Sequence, residues 1–248
     1  FAVHITANDL ATAGAEPIGI LSSIILPPET EEQDLRRIMS ELEQACDELQ
    51  IEILGGHTEV SDAVNRPVIT VTGVGKVARS DLLSTGGMRP GDELVMTKWA
   101  GLEGSAIIAA EKRDVLEQTL PAHLIDTAES FLKHISVVPE AKIAMQHGVH
   151  AMHDVTEGGI FGALWEMGAA SGVGIVADLD KIPIRQETIE LCEVFDINPY
   201  LLISSGCMLI GCENGNLLVE RLQEAGIPAA VIGRATEGND RVIRSGEE

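Results

Sequence analysis

The sequence predicts an α/β (α+β) fold built in two parts, and three observations predict it. Short β-branched apolar runs alternate with stretches whose apolar residues recur every three or four positions, as strands interleaved with amphipathic helices do. Residues 79–92 (RSDLLSTGGMRPGD) concentrate Gly, Pro and charge and separate two such series. The 248 residues are 45% hydrophobic and only 3% aromatic, enough for aliphatic cores in two domains, expected at 1–82 and 83–248.

Taken in order, residues 1–5 (FAVHI) read as the remains of a strand, so the chain is expected to lack its natural beginning. Residues 7–15 suit a short helix ended by Gly14 and Pro17. Residues 18–26 (IGILSSIIL) are a continuous apolar run, expected as a buried strand, and Pro27-Pro28 breaks it. Thr30 with Gln33 fits a capping box, and Leu35, Ile38, Met39, Leu42, Ala45, Cys46 and Leu49 then form one apolar helical stripe. Ile51–Leu54 reads as a strand running into a glycine turn, and 67–77 as another strand. Beyond the break, strands are expected at 93–98, 149–153, 173–178, 206–211 and 229–233. Helices are expected at 102–112, 121–133, 139–147, 158–171, 186–195 and 215–225.

Charge and composition exclude several classes. The net charge is −22, which repels nucleic-acid backbones and anionic lipid, and scarce aromatics leave no base-stacking platform. No apolar run approaches the ~20 residues of a membrane span, and no signal peptide is visible, so a cytoplasmic protein is expected. A nucleotide remains compatible with this acidity if Mg²⁺ bridges carboxylates to phosphates. Cys46, Cys192, Cys207 and Cys212 lack the spacing of a zinc site and read as buried, reduced thiols.

The common fingerprints GxxxxGK[ST], GxGxxG and GxSxG are absent. His147, His150 and His153 recur at three-residue steps, but Gly148 interrupts any shared helix face. Three segments carry chemistry. Asn8-Asp9, at an expected helix start, reads either as a complement to the helix dipole or as a metal or phosphate ligand. Gly55-Gly56-His57-Thr58-Glu59 reads either as a plain turn or as a phosphate-approaching loop in which Thr58 donates and Glu59 holds Mg²⁺. His153-Asp154-Val155-Thr156-Glu157-Gly158-Gly159 lies at a strand-to-helix junction, where Asp154 and Thr156 are either N-caps or anion-site neighbours.

In order and spacing these segments resemble the aminoimidazole ribonucleotide (AIR) synthetase-like superfamily. That superfamily spans the purine enzyme, thiamine-monophosphate kinase, selenophosphate synthetase and the hydrogenase-maturation protein HypE. The resemblance covers essentially the whole chain. It rests on the 7–17 segment ANDLATAGAEP, on Gly55–Glu59, on Arg89-Pro90-Gly91-Asp92, on Asp154–Ile160 and on Ser204-Ser205-Gly206. The pattern is most similar to HypE and AIR synthase-related proteins.

The resemblance implies an AIR synthase-like fold: an amino-terminal half forming a β-barrel across a homodimer, and a carboxy-terminal α/β domain, with ATP and Mg²⁺ in the cleft. It implies Asp9 as a metal ligand, beside Glu59 from the reading of its own segment. Asn8, Asp9, Gly55, Gly56, Thr58, Gly158 and Gly159 would bind the nucleotide, Gly158 and Gly159 bordering the substrate side of the cleft with Asp154, and Asp9 and Asp154 would act in catalysis. The implied activity is phosphoryl transfer to an amide or carbonyl oxygen, of the carbamoyl dehydration type, with a maturation partner protein. The other superfamily activities and a non-catalytic nucleotide-binding scaffold are alternatives. Two departures stand out. The superfamily's aspartate-rich segment would precede Phe1, and the tail Arg244-Ser245-Gly246-Glu247-Glu248 lacks HypE's terminal cysteine.

Overall fold

The structure is a computed structural model that describes residues 1–246; the last two positions of the cysteine-free tail lie outside the described residues. The chain forms two compact units, one of Phe1–Ala11 with Ala15–Leu82, the other of Thr12–Gly14 with the chain from Leu83 onward. Among the described residues no helix is long and apolar enough to cross a membrane.

The first unit opens with helix α1 (Ala2–Thr12), not with a strand remnant. Val3, Ala7 and Ala11, four residues apart, are its buried stripe, and residues 1–5 alone are too short to reveal that period. Strand β1 (Glu16–Leu26) follows, then helix α2 (Glu32–Leu49) and strands β2 (Glu52–Val60) and β3 (Val68–Lys76). The sheet order is β2-β1-β3, with β1 and β2 parallel across the α2 crossover and β3 antiparallel to β1. The capping box of α2 falls one residue later than expected. Glu31 is the N-cap, and its backbone N–H donates to Asp34 Oδ2 at 3.3 Å.

Ile20, Ile24 and Leu26 of β1 bury against Leu42, Ala45 and Cys46 of α2. The 18–26 run is therefore buried on one face only. Leu21 on the other face is 42% exposed despite the strand's central place, and Val68 and Val74 of β3 lie exposed on that face beside it. A continuous apolar run hides this asymmetry, because both faces read as apolar.

The second unit is a six-stranded sheet, order β5-β7-β4-β8-β6-β9, flanked by helices. Its strands are β4 (Glu93–Thr97), β5 (Val149–Asp154), β6 (Gly174–Asp178), β7 (Met208–Cys212), β8 (Ala229–Thr236) and β9 (Arg241–Arg244). Its helices are α3 (Leu102–Glu111), α4 (Arg113–Leu116), α5 (Ala122–Glu129), α6 (Val138–Ala144), α7 (Gly159–Ser171), α8 (Gln186–Phe195) and α9 (Gly215–Glu224). Pairing is antiparallel except between β6 and the edge strand β9. One core packs Met96, Leu209 and Ile175 of the sheet against Ile160, Leu164 and Met167 of α7; another packs Leu102 and Ala106 of α3 against Ile125 of α5. Strand β9 escaped the sequence pattern because all four of its residues are exposed.

Candidate functional site

In the first unit, Asn8 and Asp9 lie toward the end of α1, not at a helix start. Asn8 is fully buried and Asp9 is exposed. This removes the dipole reading of Asp9, since a helix carboxy terminus carries partial negative charge and favours cations.

Gly55–Glu59 are not a turn but the interior of β2. Leu54 is skipped in the pairing, so Ile53 faces Ile20 and Gly55 faces Leu21. Beyond this bulge Gly56 pairs with Ser22, and a Cβ built on Gly56 would lie 2.0 Å from the Ser22 carbonyl oxygen. Close strand packing therefore requires this glycine, whatever else approaches it. The bulge also sets which side chains share a face. Gly55, His57 and Glu59 fall with Leu21 and Ile25 on the uncovered face, and Gly56 and Thr58 on the face that carries the core.

His57 Nε2 lies 3.0 Å from Glu59 Oε2, both exposed. Helix α1 covers the opposite face, where a Cβ on Gly73 would meet Thr6 and Leu10. Asp9 and Glu59, expected as joint metal ligands, thus belong to opposite sides of the sheet within one chain. Among the described residues no group of three His, Cys, Asp or Glu side chains could hold a metal ion.

In the second unit, Asp154 ends β5 and is 5% exposed, with its Oδ2 lacking a hydrogen-bond partner. Val155 N–H donates to the Cys207 carbonyl at 2.9 Å, tying the strand end to the loop before β7. Gly158 (φ 78°) is the N-cap of α7 and no side chain caps that helix, so neither Asp154 nor Thr156 serves as an N-cap. Gly159 stands at φ 58°, and a Cβ there would lie 2.5 Å from the Tyr200 carbonyl oxygen. The two glycines let the helix start pass against the 200–202 backbone.

Two histidines of the 147–153 series, His150 and His153, face separate carboxylates. His150 Nδ1 lies 2.9 and 3.0 Å from the Asp92 carboxylate oxygens, and His153 Nε2 lies 2.6 Å from Glu166 Oε2. Burial alone would lower the His153 pKa, but the Asp154 and Glu166 carboxylates outweigh it and raise it.

Sequence reasoning missed Glu103. It sits in the first turn of α3, 1% exposed, with Oε2 unpartnered. Burial raises its pKa against the hydrogen bonds from Ser205, and the Glu157 charge adds to the rise. The adjacent Ser204 Oγ accepts the Gly101 N–H at 2.6 Å. Glu103 lies between Gly101 and Gly104 and read as an ordinary helical glutamate. Its available signal was the Ser204-Ser205-Gly206 segment, which supplies its partner.

The four cysteines are free and buried. Burial raises the thiol pKa throughout, to about 11 at Cys192 and about 12 at Cys212, so none is poised as a thiolate.

Comparison with known proteins places both units. The profile of the AIR synthase related protein N-terminal domain matches residues 1–77, and that of its C-terminal domain matches residues 89–245. Carbamoyl dehydratase HypE of Rhodobacter capsulatus is 29% identical over 245 residues, covering 96% of this chain and 70% of the relative. The chain superposes on a structure of a HypE–HypF complex with a TM-score of 0.85 at 23% identity, over 99% of this chain and 80% of the other. With hydrogenase maturation protein HypE in complex with ATP the TM-score is 0.82 at 21% identity, over 99% and 75%. With both units matched in order by the two halves of one family, the chain belongs to the AIR synthase related proteins.

Proposed function

We propose that this protein binds ATP with Mg²⁺ and activates a carboxamide oxygen by phosphoryl transfer, a reaction of the carbamoyl dehydration type. The observation that carries this reading is the 29% identity to a carbamoyl dehydratase, aligned through 96% of the chain. The chemistry is consistent with the residues present. An amide oxygen leaves poorly; once phosphorylated it departs as phosphate, and loss of the nitrogen-bound protons leaves a nitrile.

Among the described residues no group of three ligands surrounds Asp9 or Glu59, so a carboxylate here would share Mg²⁺ with phosphate oxygens and water, as is usual for Mg²⁺–nucleotide sites. Asp9 is the favoured ligand, because a cation there also offsets the negative end of α1. When bound, the metal neutralises charge on the phosphates. Asn8, Gly55, Gly56 and Thr58 are assigned to the nucleotide, and Asp154, Gly158 and Gly159 to the acceptor side. Asp154, with its unpartnered oxygen, suits a group that accepts a proton or an N–H hydrogen bond.

Burial and a raised pKa disfavour each of the four thiols as a carbamoyl carrier, so the carboxamide is assigned to a group outside the described residues, consistent with a maturation partner. Reduced thiols also favour a cytoplasmic setting. The uncovered face of the first unit's sheet, with Leu21, Ile25, Val68 and Val74, suits a second copy of the chain, giving a homodimer.

The test is incubation with ATP, Mg²⁺ and an S-carbamoyl-cysteine peptide, read by mass spectrometry. Loss of one water from the peptide, matched by phosphate release, is expected. Binding of ATP without any such loss overturns the assignment of the reaction.

A further inference from the structure

Lys98 directly follows β4 and is buried, 7% exposed. Its ammonium donates to three backbone carbonyls: His134 at 2.7 Å, Ser136 at 2.6 Å and Gly206 at 2.9 Å. A fourth oxygen, Glu140 Oε1, lies 2.6 Å away, so four oxygens share the three ammonium protons and the carboxylate balances the charge. Glu140 is itself 1% exposed.

Two costs meet at this residue. Burying an ion pair forfeits hydration that the pairing does not reliably return, and apolar replacements are often as stable. The Lys98 backbone also stands at φ 55°, in the left-handed region disfavoured for a residue with a Cβ. Stability alone does not account for such an arrangement.

What the ammonium holds is informative. The Gly206 carbonyl belongs to the loop in which Ser204 accepts the Gly101 N–H and Ser205 hydrogen-bonds Glu103. One residue further on, the Cys207 carbonyl takes the Val155 N–H beside Asp154. Gly206 stands at φ 97°, where a Cβ would lie 2.7 Å from the His134 carbonyl oxygen, so the 134–136 and 204–206 loops meet tightly around the charge. Three carbonyls and one carboxylate around a single positive charge are the donor set of a monovalent-cation site.

We propose that Lys98 is a tethered cation filling a monovalent-cation cage, and that it acts as a positioning residue setting the 204–207 loop against Glu103 and Asp154. The catalytic consequence rests on the function proposed above; the cage does not.

The experiment uses Lys98→Ala in the full chain, with tetramethylammonium, too bulky for the cage, as background salt. Thermal unfolding and amide hydrogen exchange at 204–207 are followed while potassium or methylammonium is added. The expected result is a lowered midpoint and faster exchange, both restored by either small cation but not by equal tetramethylammonium. Turnover should follow the same rescue, with kcat falling about 100-fold and the KM for ATP moving by less than about twofold. Absence of cation-specific restoration overturns the cage.

Should Lys98→Ala fail to fold, Lys98→Met/Glu140→Gln removes both charges together. Faster exchange at 204–207 in a folded double variant supports the proposal, and native protection with native kcat overturns it. A wild-type chain without turnover would defeat the proposed function alone, since melting and exchange still report the cage.

Discussion

Asp9 carries its charge where its own helix disfavours it. No periodicity reveals this in the sequence, because the start of α1 read as strand and moved the helix boundary by several residues. With the boundary placed, the carboxylate at the wrong end of the dipole points to a cation. His153 makes a second residue-scale case. Its pKa lies above the ordinary 6.5, held up by Asp154 and Glu166 against burial. A histidine raised in the folded state contributes stability that is complete below 6.5 and is lost as pH rises through the folded value. Urea unfolding across that window should therefore show stability declining with rising pH, and His153→Gln should flatten the decline. An unchanged slope would refute the assignment. Glu103→Gln tests the buried carboxyl that the sequence concealed: turnover should fall while ATP affinity holds, measured by steady-state kinetics beside a binding titration.

Among the elements, β2 shows how much a pattern can reveal. Its glycines were legible as a place where backbone must come close to something, but what they approach is β1. The bulge at Leu54 is a matter of pairing, and no single-strand pattern carries it. Gly56→Ala should destabilise the first unit by about 3 kcal/mol, in the range of severe backbone clashes, because the new Cβ meets a carbonyl oxygen with no flexible neighbour to yield. A drop in urea midpoint of the corresponding size checks this. The second unit was read more faithfully. Its helices alternate with strands whose buried residues are strongly apolar, as in Met208–Cys212, where every position is buried. What failed there was β9, since an exposed edge strand has no buried face to mark it. The capping box of α2 slipped by one residue because Glu31 and Asp34 supplied the pair that Thr30 and Gln33 appeared to offer in sequence.

At the scale of the whole molecule, acidity and an uncovered apolar sheet face have to be reconciled. A surface with net charge −22 stays soluble, and one half-exposed face bearing Leu21, Ile25, Val68 and Val74 is then free to serve association. Leu21→Lys combined with Val74→Lys should halve the sedimenting mass while leaving each unit folded; an unaltered mass would place any self-association elsewhere. The same acidity bears on the nucleotide. A chain this negative, without a phosphate-binding lysine loop, can hold a triphosphate only if a divalent cation stands between the charges. Isothermal calorimetry of ATP, with and without Mg²⁺, on the native chain and on Asp9→Asn therefore tests the central claim most directly. Saturable heat that requires Mg²⁺ and weakens at least about tenfold in Asp9→Asn is predicted. Equal binding without the metal, or no binding at all, would contradict it.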